Sequence, residues 1–210
     1  MKQFFIILFC SCLLTSCSTN TPPATPQVIS VYSTSAAQPW LPLLYECAGT
    51  RSVISRVDDP STADIGLRVG EPEFLLSPAF QIDTEELLIV THRQSPVQNL
   101  SMEDARALFA GRGDPSVQVW VYAEGEDVQE VFDRFVMQGG SVMPSARLAA
   151  NPHQMADILV NENNSVGILP RHWKAAEARE VLSVAMVPVL AITNSEPQGL
   201  VRELIACLQP

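Results

Sequence analysis

The sequence predicts an α/β fold, because short apolar strands alternate along the chain with segments of helical periodicity. Val28 to Tyr32 alternates and is rich in β-branched residues, as in a strand. Glu85 to Thr91 contains the continuous apolar run of a strand that is buried on both faces. Ser101 to Gly111 places apolar residues at helical spacing behind a serine that can cap a helix. Apolar residues make up 47% of the chain, which is enough for a substantial core.

The same patterns predict the remaining elements in order. The predicted strands cover residues 28–32, 51–57, 63–69, 85–91, 117–122, 165–169 and 184–192. The predicted helices cover residues 39–47, 101–111, 128–137, 152–159 and 200–208. Pro39 and Pro152 stand where a first helical turn accepts proline, and Glu103 with Asp104 places negative charge where the helix dipole favours it. Gly111 is expected to end the helix that begins at Ser101.

Residues 1–16 have the composition of a secretory signal peptide. Lys2 is followed by an apolar run from Phe4 to Leu14 that is too short to span a bilayer. The end of this segment, Leu-Thr-Ser-Cys, resembles the bacterial lipobox, which implies cleavage before Cys17 and lipidation of its sulfur. The alternative is an ordinary signal peptide that is cut near Ser18. Residues 17–27 are rich in Thr, Pro and Ser, which predicts a flexible tether.

The charge balance limits the partners of the chain. A formal net charge of −10 disfavours nucleic acid, whose binding depends on basic side chains that meet phosphates. The same charge disfavours adhesion to anionic lipid, so the expected membrane contact is the lipid anchor itself. After Cys17 no apolar run is long enough for a transmembrane helix. We therefore expect a globular protein tethered outside a bacterial membrane, on its periplasmic or cell-surface side.

Cysteine usage predicts one disulfide bridge. Cys10 and Cys12 would leave with the signal peptide and Cys17 would carry lipid, so that Cys47 and Cys207 remain in an oxidising compartment. A bridge between the first and last helices would close a loop of about 160 residues, worth roughly 4–5 kcal/mol in the chain-entropy account. The alternative is two separately buried thiols.

Three segments combine a strand end, a polar turn and the start of a following element. They are residues 33–35, 64–68 and 124–127. In open α/β sheets the ligand crevice lies outside the carboxyl ends of the strands, and helix N-termini there offer free N–H groups. Each segment could alternatively be an ordinary turn or helix cap. Together they are the candidate binding region.

Four motifs follow one another along the chain in the order of a known family. The first is Val-Tyr-Ser-Thr-Ser from Val31, the second is Ala-Asp-Ile-Gly from Ala63, and the fourth is Ser-Val-Gly-Ile-Leu-Pro from Ser165. The third runs from Glu85 to Arg112 and contains Leu-Leu-Ile-Val, then Ser-Pro-Val-Gln-Asn-Leu-Ser, then Leu-Phe-Ala-Gly. Their order resembles the type-2 periplasmic solute-binding proteins, and most closely the phosphate-binding lipoproteins of ABC transporters. The resemblance covers nearly the whole chain after the tether.

The resemblance implies a two-lobed fold in which each lobe is a sheet flanked by helices and crossover strands form a hinge. It places residues 28–90 and 182–210 in lobe one and residues 91–181 in lobe two. The last helix then returns to the first lobe, which agrees with the Cys47–Cys207 bridge.

The resemblance also implies a ligand cleft between the lobes. Its expected ligand-binding residues are Ser33, Thr34 and Ser35 from one lobe, facing Gly125, Glu126 and Asp127 from the other, with Arg68 as the nearest cationic candidate. Phosphate-binding members carry a Gly-Ser-Gly-Thr type of turn where this chain has Glu-Gly-Glu-Asp. Carboxylates at this turn would repel phosphate and could cap the next helix themselves. We therefore expect a phosphate-binding-like protein whose ligand is a different solute, with Arg68 as an alternative surface charge.

Enzymatic interpretations find little support. His92, His153 and His172 are far apart, without the spacing of paired metal ligands, and no serine stands in a G-x-S-x-G elbow. We expect no catalytic residue, no metal and no cofactor. The expected function is solute binding by a lipid-anchored monomer that serves an ABC-type permease or a sensor. The alternative is a degenerate binding-protein domain that acts as an adaptor or assembly module at the membrane.

Overall fold

The computed structural model describes residues 26–209, and within them the strands and α-helices follow one another in the predicted order, with one additional short strand. The strands are β1 (Gln27–Ser33), β2 (Ser52–Arg56), β3 (Ile65–Val69), β4 (Ala79–His92), β5 (Gln118–Val121), β6 (Arg147–Leu148), β7 (Ser165–Pro170) and β8 (Ala178–Ile192). The α-helices are α1 (Leu41–Ala48), α2 (Met102–Ala107), α3 (Asp127–Phe132), α4 (Pro152–Asn161) and α5 (Gly199–Leu208). Helices α2 and α3 continue into wider π-helical turns, Leu108–Arg112 and Asp133–Met137. The α/β class is confirmed.

The strands form one mixed sheet in the order β2-β1-β3-β8-β4-β7-β5-β6. Strand β1 is parallel to β2 and β3, and β5 is parallel to β6 and β7. Strands β4 and β8 are antiparallel to each other and separate these two parallel groups. We call the β2-β1-β3 side the first half of the sheet and the β7-β5-β6 side the second half.

The two long strands agree with the expected crossover strands. Strands β4 and β8 run through both halves and join the strands of the two halves into a single sheet. Their pairing extends from Ala79 opposite Ile192 to His92 opposite Ala178, with register shifts near Gln81, Leu87 and Ile89. Such irregularities bend a strand and increase its twist. The lobe boundaries near residues 90 and 182 fall inside these strands and stay a prediction.

Apolar side chains from both halves pack into one continuous core. Leu44 of α1, Leu88 of β4, Phe109 and Phe132 are fully buried, and the two phenylalanine rings lie 4.6 Å apart between centroids. Each buried side chain of this size contributes about 1.5–3 kcal/mol of hydrophobic free energy. The core therefore supports both walls of the cleft described below.

The start of α2 follows directly from its sequence. The Ser101 hydroxyl accepts from the Asp104 N–H at 3.1 Å, and the Asp104 carboxylate accepts from the backbone and hydroxyl of Ser101. This reciprocal capping box satisfies N–H groups that a helix N-terminus leaves free. The predicted helix start at Ser101 is confirmed.

The Cys47–Cys207 disulfide is present and joins α1 to α5. The two Cα atoms are 5.9 Å apart across a sequence separation of 160 residues. Cys47 is half-buried and Cys207 is exposed, which differs from the alternative of two separately buried thiols. The bridge therefore fixes the last helix onto the first half of the sheet.

The predicted signal peptide, Cys17 and most of the tether lie outside the described residues. Within residues 26–209 no helix has the length and apolarity that crossing a bilayer requires. The ten-residue helices α4 and α5 extend about 15 Å at 1.5 Å per residue, half of a hydrocarbon core about 30 Å thick.

Candidate ligand-binding cleft

A cleft of about 450 Å³ lies where strand ends of the first half face the start of α3. One wall is built by Tyr32 and Thr34 at the end of β1, Arg68 on β3 and Asn194 just after β8. The facing wall is the turn of residues 125–127. The cleft therefore lies outside strand ends, where open α/β sheets usually hold their ligands.

The Asp127 carboxylate crosses from one wall to the other. Its Oδ2 atom accepts from the Thr34 hydroxyl at 2.6 Å and from the Val69 N–H at 2.9 Å. Its Oδ1 atom accepts from the Val128 N–H at 2.9 Å. A side chain of the second half thus occupies hydrogen-bond donors of the first half, in the manner of a bound anion.

Gly70 allows this close approach of the two walls. Its φ of +76° lies in the left-handed region that glycine adopts without strain. A Cβ atom at this position would lie 2.5 Å from Cγ2 of Val131, a buried side chain of α3. The missing side chain lets β3 end against α3, so that the Val69 N–H reaches Asp127.

Burial dominates the electrostatics of Asp127. The side chain is only 3% exposed, and its burial raises the pKa of the carboxyl above the ordinary aspartate value. The hydrogen bonds from Thr34 and Val69 and the positive charge of Arg68 act in the opposite direction and offset only part of this effect. The folded protein consequently takes up a proton at Asp127 more readily than the unfolded chain does.

Replacement of Asp127 by Asn should destabilise the protein most at low pH. Near pH 4 the loss is about 1–3 kcal/mol, because an amide group cannot accept all three hydrogen bonds. A raised folded pKa means that the wild type is favoured at acidic pH and loses stability as the pH rises through that value. Asp127→Asn lacks this loss, so the difference in unfolding free energy should shrink between about pH 4 and pH 7.

Urea unfolding of both proteins across this range measures the difference. If the difference in unfolding free energy between wild type and variant grew with pH, the hydrogen bonds to Asp127 would lower its pKa instead of leaving it raised. Removal of the Asp127 charge also relieves part of the raised pKa of Glu126, and this changes the difference in the same direction.

Arg68, which lines the cleft, forms an ion pair with Glu130 of α3. Its Nη2 atom donates to Oε2 of Glu130 at 2.7 Å, and both side chains are partly shielded from water. The Arg68 Nε atom is buried and has no hydrogen-bond partner among the described residues. The predicted position of Arg68 at the cleft agrees with the geometry, but one of its donors is already used by a carboxylate.

Glu126 and Tyr32 are two further titratable groups that line the cleft. Burial and the neighbouring Asp127 charge raise the pKa of the Glu126 carboxyl. Burial also raises the pKa of the Tyr32 hydroxyl, and the Glu126 and Asp127 charges add to this shift. Gly125 has a φ of +89°, and a Cβ atom added there would meet no atom of residues 26–209 within 4 Å, so the edge of the turn is open.

Two residues of the predicted Ser33–Ser35 turn do not line this cleft. The Ser33 hydroxyl donates to the Thr34 carbonyl at 3.0 Å. Ser35 lines a separate recess of about 230 Å³ with Asn151 and Trp173. Thr34 is the member of the turn that lines the cleft, because its side chain is the one directed toward Asp127. The structure therefore brings together Thr34, Arg68 and the turn of residues 125–127.

Two further residues were not predicted: Asn194, which lines the cleft, and Glu130, which lines the adjacent recess of Glu124 and Asp133. Glu130, the partner of Arg68, stands three residues after Asp127 and so shares its helical face, a spacing that was visible in the sequence. Asn194 follows the end of β8 and donates to the carbonyls of Ser61 and Ala63 at 3.1 Å. Its position after a strand is the signal that could have identified it.

A second set of contacts holds the halves together near the segment after β7. Trp173 Nε1 donates to the Ala36 carbonyl at 3.1 Å, and the Trp40 and His172 rings lie 4.7 Å apart between centroids. His172 Nδ1 lies 2.7 Å from Oε2 of the buried Glu85. The juxtaposition of the two walls therefore does not depend on Asp127 alone.

Solved structures with the same arrangement include binding proteins. A Clostridium perfringens protein described as a phosphate ABC transporter substrate-binding protein, with bound phosphate, superposes with a TM-score of 0.76 at 12% identity, covering 87% of this chain and 93% of its own. An ABC-type phosphate transport receptor from Vibrio cholerae has a TM-score of 0.65 at 17% identity, with 87% and 93% covered. The fold is periplasmic-binding-protein-like.

The same fold also occurs in regulatory domains. The CcmR regulatory domain of Synechocystis, in complex with 2-PG, has a TM-score of 0.67 at 10% identity and covers 87% of this chain and 95% of its own. No protein-family model and no curated protein sequence matches the chain. The predicted fold class is thus confirmed, while identities this low bear on the fold alone.

Proposed function

We propose that the protein is a membrane-anchored, extracytoplasmic solute-binding protein that binds without chemistry and serves an ABC-type uptake or sensing system. The observation that carries the proposal is the cleft of about 450 Å³ whose two walls come from different halves of the sheet. The cleft presents hydroxyl, carboxylate and guanidinium groups, which suit recognition of a small polar molecule by hydrogen bonds. Solved proteins of this fold bind phosphate or 2-PG, which supports a binding role.

The charges of the cleft argue for a solute other than a fully ionised oxyanion. Glu126 and Asp127 repel such an ion, and Asp127 already occupies the Thr34 hydroxyl and the Val69 N–H. Arg68 and Glu126 together offer a cationic and an anionic group in one cleft. A solute that carries both an acceptor and a donor, such as an amino acid or a polyol, fits this pair better than phosphate does.

The location follows from the N-terminal segment. The signal-peptide pattern and the lipobox-like end support lipidation at Cys17, and residues 18–26 would then link the membrane to β1. A permease or a membrane sensor is the corresponding partner, since a tethered binding domain diffuses only along the surface that holds it.

A thermal-shift screen tests the proposal. The oxidised chain without its first 17 residues is heated with amino acids, polyols, polyamines, phosphate, sulfate and divalent metals. A ligand at 100 times its Kd adds about 2.7 kcal/mol of stability, which raises the Tm by about 5–10 °C for a protein of this size. We expect such a shift with a donor-and-acceptor solute and none with phosphate.

Two variants locate the binding event. Arg68→Met should abolish the shift, whereas Arg202→Met, which removes an exposed arginine on α5, should leave it unchanged. A shift that survives in Arg68→Met would contradict the assignment of the cleft.

A second function, that of an adaptor or assembly module without a small ligand, is favoured by one observation. The donors that could hold a ligand already have partners in the protein. Thr34 and Val69 donate to Asp127, and Arg68 donates to Glu130. A flat screen on well-folded protein would therefore support the adaptor and contradict solute binding.

A further inference from the structure

The connection between β3 and β4 exposes three consecutive large apolar side chains. Phe74 is 78% exposed, Leu76 is 97% exposed, and Leu75 between them is also exposed. Single exposed apolar residues are ordinary, but contiguous ones typically mark an interaction site. Burial of a Phe or Leu side chain in a partner would gain about 1.5–3 kcal/mol per residue, so this segment has free energy available for association.

Hydrogen bonds hold the segment at both of its ends. The Gly70 N–H donates to the Pro188 carbonyl at 2.7 Å, and the Thr193 N–H donates to the Pro78 carbonyl at 3.0 Å. Arg134, in the π-helical turn after α3, donates from Nη2 to the Glu71 carbonyl at 2.8 Å. The apolar side chains are therefore presented from a fixed base.

Acidic residues line a recess that begins at Glu73, next to this segment in the chain. Glu73 lines a recess of about 580 Å³ together with Glu124, Glu130 and Asp133. Arg134 also lines it, but its guanidinium is directed to the Glu71 carbonyl. An apolar protrusion thus stands beside a recess whose side-chain charge is predominantly negative.

Both halves of the sheet contribute to this surface. Glu73 belongs to the β3–β4 connection, whereas Glu124 and Asp133 flank α3 in the second half. Arg134 and Asp127, both from the second half, form hydrogen bonds with Glu71 and Val69 of the first half. A partner that contacts both the protrusion and the recess would therefore bind the protein when the two halves lie together and not when they are apart.

We propose that Phe74, Leu75 and Leu76, with the acidic rim of Glu73, Glu124 and Asp133, form a docking surface for another protein. The partner presents an apolar pocket bordered by Lys or Arg side chains. A second copy of this chain is disfavoured because its equivalent surface is acidic as well, and a lipid surface is disfavoured because anionic headgroups repel the rim. None of these six residues lines the ligand cleft, although the recess beside them shares Gly125 with it, and the surface serves either proposed function.

Photo-crosslinking in cells tests the surface on the full chain. p-Benzoylphenylalanine is placed at position 76 and, as a control, at position 186, where Met186 of β8 is an isolated residue with 61% exposure. We expect one discrete adduct with a different polypeptide at position 76 that is absent at position 186. No protein adduct, an adduct with a second copy, an adduct with lipid alone, or the same adduct at both positions would overturn the proposal.

Binding of the purified crosslinked partner supplies the second measurement. Phe74→Ser with Leu76→Ser should raise the Kd at least about tenfold, while Met186→Ser leaves it unchanged and all proteins keep the wild-type Tm. Glu73→Lys should also weaken binding, and the Kd should rise when NaCl increases from about 50 to about 500 mM. If the double variant bound the partner as tightly as the wild type does, the apolar contact would be overturned. If Glu73→Lys or added salt tightened binding, the proposed Lys or Arg border of the partner would be overturned.

Discussion

Joint replacement of Glu126 by Ser and Asp127 by Thr should give the cleft a measurable affinity for phosphate or sulfate. The change removes two negative charges from one wall and frees the Thr34 hydroxyl and the Val69 N–H, which Asp127 occupies in the wild type. Hydrogen bonds to a charged group are worth about 1.5–3 kcal/mol each, so affinity should rise at least about tenfold. Isothermal titration calorimetry with phosphate measures the gain.

A matched control separates this local effect from the change in net charge. Glu46→Ser with Glu177→Thr also removes two carboxylates, and both residues are exposed and lie outside the cleft lining. Its phosphate affinity should equal that of the wild type. An equal gain in both double variants would mean that global charge is the cause, and no gain in either would show that Asp127 does not occupy an anion position.

Removal of the Cys47–Cys207 disulfide should cause the largest loss of stability. The bridge closes a loop across 160 residues, and the chain-entropy account gives about 4–5 kcal/mol for this constraint on the unfolded chain. Cys47→Ser with Cys207→Ser should therefore lower the unfolding free energy by up to this amount. Denaturant unfolding under oxidising conditions measures the difference.

The reduced wild type is the internal control for this experiment. With a reductant present, wild type and double variant should unfold at nearly the same denaturant concentration, because both then lack the constraint. Cys207 is exposed, so the reductant can reach the bridge in the folded state. A loss below about 1 kcal/mol under oxidising conditions would contradict a stabilising role of the bridge.

The length of the central strands was underestimated for a physical reason. Apolar runs predicted strands over 85–91 and 184–192, whereas β4 begins at Ala79 and β8 begins at Ala178. Their extra residues include Gln81, Asp83 and Glu180, which are polar and stand where register shifts interrupt strict alternation. Pairing between the two strands, and not burial of both faces, keeps these residues extended. The two-residue β6 is exposed throughout and has no apolar signal.

The acidic turn shows a similar limit at the cleft. The motif order placed Thr34, Arg68 and residues 125–127 near one another, and the geometry agrees with this. The sequence of the turn does not show whether Asp127 contacts a ligand or takes the ligand's place on the opposite wall. That depends on its contacts with Thr34 and Val69, which are 93 and 58 residues away in the chain. The Arg68–Glu130 pair likewise spans 62 residues.

The sequence by itself determined the α/β class, the order of most elements, the capped start of α2 and the cysteine pair. These features depend on side-chain periodicity, on capping within a few residues and on counting, all of which are local. Only the tertiary structure decided that one sheet joins both halves, that the Asp127 carboxylate occupies donors of the opposite wall, and that Phe74 to Leu76 stand exposed beside an acidic recess. Such features arise from packing between distant segments, and no short-range pattern in the chain encodes that packing.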